Sequence, residues 1–600
     1  MARGYATSLL LLVLGLGLLA AGASRIPGIN RLRAQYELES VNPFEDNDIK
    51  SELRLPTVAL FTFRSLAIDY LWIRADNLKQ QGQYFDALHL ARMICALQPN
   101  LASVWDFQAW NMAYNISVAM PNGPERWNWV RAGYELLRDQ GLAANPRSPK
   151  IYHSLSWIFQ HKIGGISDDR HRYYKLCMAY AMMPILGNGT NEELQAMAEA
   201  ETDWKQLQAD PKITKLLKKI RQAEPEFDND RELWDGLLDI RISPTKYSPA
   251  LHQVIADNQR SESFRKLNLF VRTRALRHDW KMDPAKMLEI NERYGPVDYE
   301  SEQPDKRLSL DWRLPYSHAI YWATQGLQYA NAQEFVYLSL QRVVYQSLQD
   351  LFHYGHLEIF PGPPPQSASA RQEGQEIIES IEQAQMRLFV SRDMRMFPVA
   401  YQATLDIIDA YQMKNVGRDP GGIVDGSVNL CRSGIVNFQL TGYTKMARKY
   451  YNHLRDRYPE NEDYQQSLED FVGDYLRKEF ADISPKNAAD YIDAFLRNGY
   501  GAYAIHNDNL AALYQKYAQQ VHSHIGREYA YDVADRLTLP PLSGMKQKAL
   551  INFLSDPSVN PYRKGMLVRR IEIDFPDEYQ WLKKQIEQPR EDSHDPAIVP

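Results

Sequence analysis

The chain has 600 residues, more than one hydrophobic core organises, so it must hold several cores or an extended repeat array. Its 44% hydrophobic and 24% charged residues exclude wholesale disorder, and a net charge of −6, with lysine and arginine spread among acids, excludes a basic nucleic-acid surface. Three scattered cysteines, Cys95, Cys177 and Cys431, exclude a disulfide framework or a thiolate zinc site and leave the redox compartment open.

Residues 1–24 hold a charge-free run, Ala6 to Ser24, flanked by Arg3 and by Arg25, Arg31 and Arg33. It is just long enough to span a bilayer and ends in Ala21-Gly22-Ala23, a small-x-small pattern, so it is either a membrane anchor or a cleaved signal peptide. Either reading places the bulk of the chain outside the cytoplasm, periplasmic if it stays anchored as a single pass and secreted if it is cleaved. Residues 25–55 contain Pro27, Gly28, Asn42 and Pro43 among acids, and predict a linker.

From residue 56 to 185 the pattern predicts paired helices. In the stretch Asp69 to Asn100, Gly82 and Tyr84 mark a turn, small Ala87 marks the place where two antiparallel helices touch, and Pro99 stops the second. Ala75, Ala109 and Ser156 repeat the small position, followed three residues later by Leu78, Met112 and Phe159. The closing prolines are Pro99, Pro146 and Pro184, and Trp105 and Tyr152 each follow a closing proline by six residues. Residues 186–310 form a charged helical middle segment without a clean repeat. Helical pairs resume over 311–475, interrupted by the proline-rich loop Pro361 to Pro365 and then a helix over 371–390. There Gly442, Ala447 and Pro459 keep the spacing of Gly82, Ala87 and Pro99, shifted by 360. Residues 476–587 predict further helices, and 588–600 a disordered tail.

The segments FRSLAIDYLWIRADNLKQQGQYFDALHLARMICALQPN, VWDFQAWNMAYNIS, IYHSLSWIFQHKIGG and LDWRLPYSHAIYWA resemble a family of uncharacterised bacterial membrane-anchored proteins with tetratricopeptide-repeat-like (TPR-like) helices. The resemblance covers residues 56–185 and 294–330 best, and it departs from the pattern where Ile94 replaces a small residue. It implies an all-α fold, an α-α solenoid behind one N-terminal hydrophobic helix, used for protein–protein contact, and it implies no catalytic residue.

In such arrays the first helix of each pair lines the concave face. The inward positions are then Trp72, Asp76 and Lys79, next Asp106, Trp110 and Tyr114, and next His153, Trp157 and His161. Aromatic anchors interleaved with acids and histidines suit a peptide or helix of a protein partner, while the same aromatics at helical spacing would also serve as core. His353 and His356 form an HxxH pair that Asp350 joins at the same spacing, and His522 and His524 form an HxH pair too far apart in angle for chelation on a helix. Lys162 to His171 reads as a helix–helix loop in which Ser167 or Asp168 caps the next helix. Nucleotide loops, GxSxG elbows and HExxH are missing from the sequence, so neither cofactor nor catalytic residue is expected. The expectation is a membrane-tethered scaffold binding a protein partner in the bacterial envelope. The alternatives are a structural subunit of an envelope or transport complex, or a metal-binding protein or enzyme using His153, His161, Asp168 and His171.

Overall fold

The computed structural model describes residues 57–299, 301, 303, 306–332, 334–359, 388–413, 421–479, 485–528, 539–556 and 559–587. These residues are mostly helical, and the fold is all-α with one short antiparallel hairpin. The hydrophobic segment 6–24, the linker 25–55 and the tail 588–600 lie outside the described residues. Among the described residues no helix is long and apolar enough to cross a membrane. The chain divides into two compact units, Met1–Ala403 and Thr404–Pro600.

In the first unit α1 (Thr57–Gln80) and α2 (Tyr84–Leu97) form a hairpin. Gly82, at φ +76°, makes the turn; its N–H donates to the Lys79 carbonyl at 3.0 Å and the Gln83 N–H to Leu78 at 2.9 Å, which closes the orphan carbonyls of α1. α3 (Ala102–Trp110) runs into a π-helical turn, Asn111–Ile116. α4 (Gly123–Glu135) and α5 (Pro149–Trp157) do the same, at Leu136–Gly141 and Ile158–Ile163. The insertion at residues 121–124 is the entry to α4, where the Asn122 side chain accepts from the Glu125 N–H at 2.9 Å.

The aromatics six residues beyond the prolines have a specific task. The Trp105 indole donates to the Pro99 carbonyl at 2.8 Å and the Tyr152 hydroxyl to the Pro146 carbonyl at 3.1 Å, so each ties its helix to the loop before it. Pro184 does not close a helix as expected: it lies within the last turn of α6 (His171–Leu186), which ends at Gly187 with φ +62°. Ala109 and Ser156 are fully buried, as close helix contact requires.

The middle segment builds its own core from Leu207, Ile213, Leu216, Leu217, Ile220, Leu233, Phe270 and their neighbours. It joins α6 through the buried Arg272, whose Nε donates to the Ile185 carbonyl at 2.6 Å and whose Nη2 pairs with Glu193 at 2.6 Å. α7 (Pro315–Leu327) and α8 (Phe335–Tyr354) form a second hairpin that packs on α5. Close approach is possible because Gly326 faces the Tyr152 Cβ; an added methyl there would lie 2.6 Å from it. Strand β1 (His356–Ile359) pairs antiparallel with β2 (Leu388–Ser391), His356 opposite Ser391. The helix expected over 371–390 therefore gives way to a strand at its end, and the rest of it lies outside the described residues.

In the second unit the helices Gly421–Leu440 and Thr444–Arg457 repeat the first hairpin. Their turn at Gly442 (φ +87°), the boundaries Leu440, Thr444 and Arg457, and the buried Ala447 match Gln80, Tyr84, Leu97 and Ala87 after a shift of 360 residues. A further hairpin, Pro485–Ala504 with Asp508–Glu528, precedes three helices that end at Glu587. Ala504, Leu550, Phe553, Leu567, Ile571 and Leu582 make the core there.

Candidate functional site

The positions expected to face inward come together in the first unit along α1, α3 and α5. Trp110 stacks on Tyr114 with ring centres 3.9 Å apart. Tyr114 and His161 share a hydrogen bond of 3.2 Å, and the His161 ring stacks on Trp157 at 4.8 Å, which in turn stacks on His153 at 6.2 Å. The five rings form one continuous row across two helices. Sequence spacing of four sets the stacks within each helix, and the two π-helical turns carry Tyr114 and His161 at the crossing.

The row borders a cavity of about 520 Å³ lined by Asp106, Trp110, His153, Ser154, Trp157 and, from α8, Ser339, Arg342 and Gln346. Trp110 remains 43% exposed, and Trp157 and His153 are half-buried. Asp106 is pre-set within it: it accepts from the Ser154 hydroxyl at 2.6 Å and pairs with Lys150 at 3.3 Å. Across α3 a second cavity of about 380 Å³ holds Trp72, Ile73, Asp76 and Lys79 against Phe107, Gln108 and Asn111. Trp72 and Phe107 meet edge to face at 5.0 Å. The Gln108 amide nitrogen there is buried without a hydrogen-bond partner.

Burial holds the imidazoles of His153 and His161 below the ordinary histidine range; Lys162 adds to the effect at His161, and Asp106 partly opposes it at His153. Both are therefore neutral near pH 7, and the groove presents stacked apolar faces with polar edges. Beneath Tyr114 the Lys162 ammonium lies 5.3 Å from the ring centre and pairs with Asp168 at 2.6 Å, both side chains buried.

Asp168 is thus not the helix cap expected of it. It accepts from Lys162, from the Tyr174 hydroxyl at 3.2 Å and from the Arg170 N–H at 2.9 Å, one residue before α6 begins, and Ser167 is exposed. Next to it, burial lowers the Lys175 ammonium to about 7 and the His171 imidazole to about 4; Lys175 Nζ lies 2.9 Å from His171 Nδ1. Asp350, raised by burial to about 6, accepts from the Gln160 amide at 3.0 Å. His153 lines the cavity and His161 stacks on Trp157, whereas Asp168 pairs with Lys162 and His171 with Lys175, so the four side chains make separate contacts.

The HxxH pair is also parted, because α8 ends at Tyr354: His353 is on the helix and His356 on β1, paired with Glu358 at 3.1 Å. His522 bonds the Pro540 carbonyl at 2.8 Å. Among the described residues no group of three histidine, cysteine, aspartate or glutamate side chains could hold a metal ion. Sequence reasoning missed Ser339, Arg342 and Gln346; their spacing of three and four marks one face of a helix, but nothing local says which surface that face meets. Comparison of the chain with protein-family models, with curated proteins and with solved structures gives no match.

Proposed function

We propose that the chain is a membrane-tethered, TPR-like scaffold in the bacterial envelope, whose first unit holds a segment of a protein partner in the aromatic groove. The observation that carries this reading is the continuous ring row from His153 to Trp110, half-open beside a cavity of about 520 Å³ and adjoining a second of about 380 Å³ across one helix. Aromatic side chains with few rotatable bonds supply most of the affinity in such contacts, and each hot-spot ring is worth about 2 kcal/mol or more on truncation. The repeated hairpins, related by a shift of 360 residues, support the TPR-like description. The charge-free segment 6–24 supports the tether, which would raise the local concentration of whatever the groove holds.

The test is Trp110→Ala combined with Trp157→Ala in the full chain, followed by partner recovery from membranes and circular dichroism. Recovery is expected to fall at least tenfold against the unmodified chain with helicity unchanged. Undiminished recovery, or collapse of the helical signal, would overturn the groove assignment.

A further inference from the structure

The shift of 360 residues that relates the first hairpins of the two units holds further along the chain. The helical run that α3 begins ends at Ala119, and the one that α4 begins ends at Ala144. In the second unit the helices Leu468–Glu479 and Pro485–Ala504 end at the matching places. Burial keeps the same register: Val104, Gln108, Met112 and Ile116 are buried in the first unit, and Tyr464, Leu468, Val472 and Leu476 in the second. The second unit therefore shows which side chains fill each space of a shared plan.

One space differs. Ala75, Ala91 and Asn111 line the cavity of about 380 Å³ between α1, α2 and α3. Their counterparts are Ile435, Tyr451 and Phe471, each no more than 3% exposed. The Tyr451 and Phe471 ring centres lie 5.0 Å apart, and the Tyr451 hydroxyl is 3.0 Å from the Tyr464 carbonyl oxygen and 2.9 Å from that of Gln466. Larger side chains at all three positions close from within the space that the first unit leaves open. The other walls keep their character, with Ala87, Met112 and Ile116 matched by Ala447, Val472 and Leu476. Where the second unit has Leu468, the first has Gln108, 3% exposed, whose Nε2 finds no acceptor among the described residues. At the mouth Phe107 is 51% exposed, and its ring meets Trp72 edge to face.

We propose that this cavity receives an aromatic side chain of the partner segment, in the place that Tyr451 fills in the second unit. The inference rests on the reading of the first unit as a partner-binding scaffold, and it adds what the partner must present. Ala75, Ala91 and Asn111 leave room for a ring, and Trp72 and Phe107 give it aromatic neighbours. The buried Gln108 amide supplies an N–H for the face or the hydroxyl of that ring.

The experiment is peptide-resolved hydrogen exchange of the full chain in detergent, with p-cresol as the probe and its saturated counterpart, 4-methylcyclohexanol, as the control. p-Cresol is expected to slow exchange of the α2 amides saturably by about threefold or more, and the control to do so less. Ala91→Tyr, which installs the residue of the second unit, should abolish the response and lower partner recovery from membranes about tenfold with helicity unchanged. If Ala91→Tyr loses helicity, Ala75→Ile replaces it and should weaken both. The proposal is overturned if p-cresol gives no saturable response, or if the saturated control matches it. It is overturned too if the filled variant recovers partner undiminished while the Trp110 and Trp157 double variant does not; that result leaves the groove standing, so the two failures are distinguishable.

Discussion

Removing the carboxylate from Asp168 should destabilise the first unit more than removing its partner Lys162, although both mutations break the same 2.6 Å pair. Both side chains are buried, and among the described residues the pair is the one ion pair of the Lys162 ammonium, which otherwise faces the Tyr114 ring. Asp168→Asn therefore strands a buried cation, at a cost of about 3–5 kcal/mol. Lys162→Met leaves Asp168 with the Tyr174 hydroxyl, the Arg170 N–H and Arg126 at 3.6 Å, so the loss is nearer the worth of one charged hydrogen bond, about 1.5–3 kcal/mol. The double variant should cost less than the sum, because methionine removes the charge that asparagine leaves unanswered. A global unfolding midpoint is ill-defined for a chain of two units, so the readout is native-state hydrogen exchange of the α6 amides, which follow Asp168 directly.

Acid provides the second arm of that experiment. Burial alone would raise the Asp168 carboxyl, but the hydrogen bonds from Lys162 and the Arg170 N–H outweigh it and hold the group below the usual range. A depressed carboxyl contributes stability that is present above its unfolded pKa and lost as the pH falls through the folded one. α6 protection in the unmodified chain should decline in that window, and in Asp168→Asn the decline should be smaller. Equal costs for the two single variants, or strict additivity in the double, would refute the reasoning.

His318, fully buried against Trp280 and Phe159 and bonded through Nε2 to the Trp312 carbonyl at 2.9 Å, is lowered by burial to about 3. Because the unfolded chain takes up this proton first, stability is whole above about pH 6.5 and falls toward pH 3, by about 5 kcal/mol in all. His318→Gln should reduce the proton uptake on acid unfolding by about one, and an unchanged uptake would be evidence against it. Two glycines should respond in opposite directions to alanine. Gly326→Ala forces a methyl to 2.6 Å from the Tyr152 Cβ and should cost about 1–3 kcal/mol in the first unit, by local exchange of α7. Gly565, exposed in the helix Pro561–Asp574 with open space around it, should gain about 0.5–1 kcal/mol as alanine, read from exchange in that helix.

What was legible in the sequence is what short-range physics fixes. The hairpin turns at Gly82 and Gly442 follow from the need for φ above zero at a helix end, and the small residues Ala87, Ala109 and Ala447 from close helix contact. A spacing of four put Trp110 over Tyr114 and Trp157 over His161, so the row was readable once α3 and α5 were taken as neighbours. What was not legible depends on contacts remote in the chain. Arg342 and Gln346 reach the groove because Gly326 lets α7 and α8 approach α5, and Asp168 turned inward because Lys162 lies six residues before it, across the loop. A helix-cap reading weighs only the next turn, and it lost to a buried ammonium. Likewise HxxH assumes an unbroken helix, and α8 stops between the two histidines.

The π-helical turns were invisible to periodicity, yet they sit where the groove is made. Asn111–Ile116 begins right after Trp110 and Ile158–Ile163 right after Trp157, and each carries one partner of the Tyr114–His161 bond. Such turns hold wider, less favourable hydrogen bonding than the α-helix and persist when surrounding packing over-determines them. That packing is present: Gly133 approaches the Ala109 carbonyl and Ala113 so closely that a methyl would lie 2.9 Å from the carbonyl, and Lys162, itself in a π-helical turn, is held by Asp168 beneath Tyr114. The rings are therefore held by buried ion-pairing and close helix contact within the first unit. The buried layer and the groove are one construction, so a variant such as Asp168→Asn that loosens the layer should also disorder the Tyr114–His161 crossing above it.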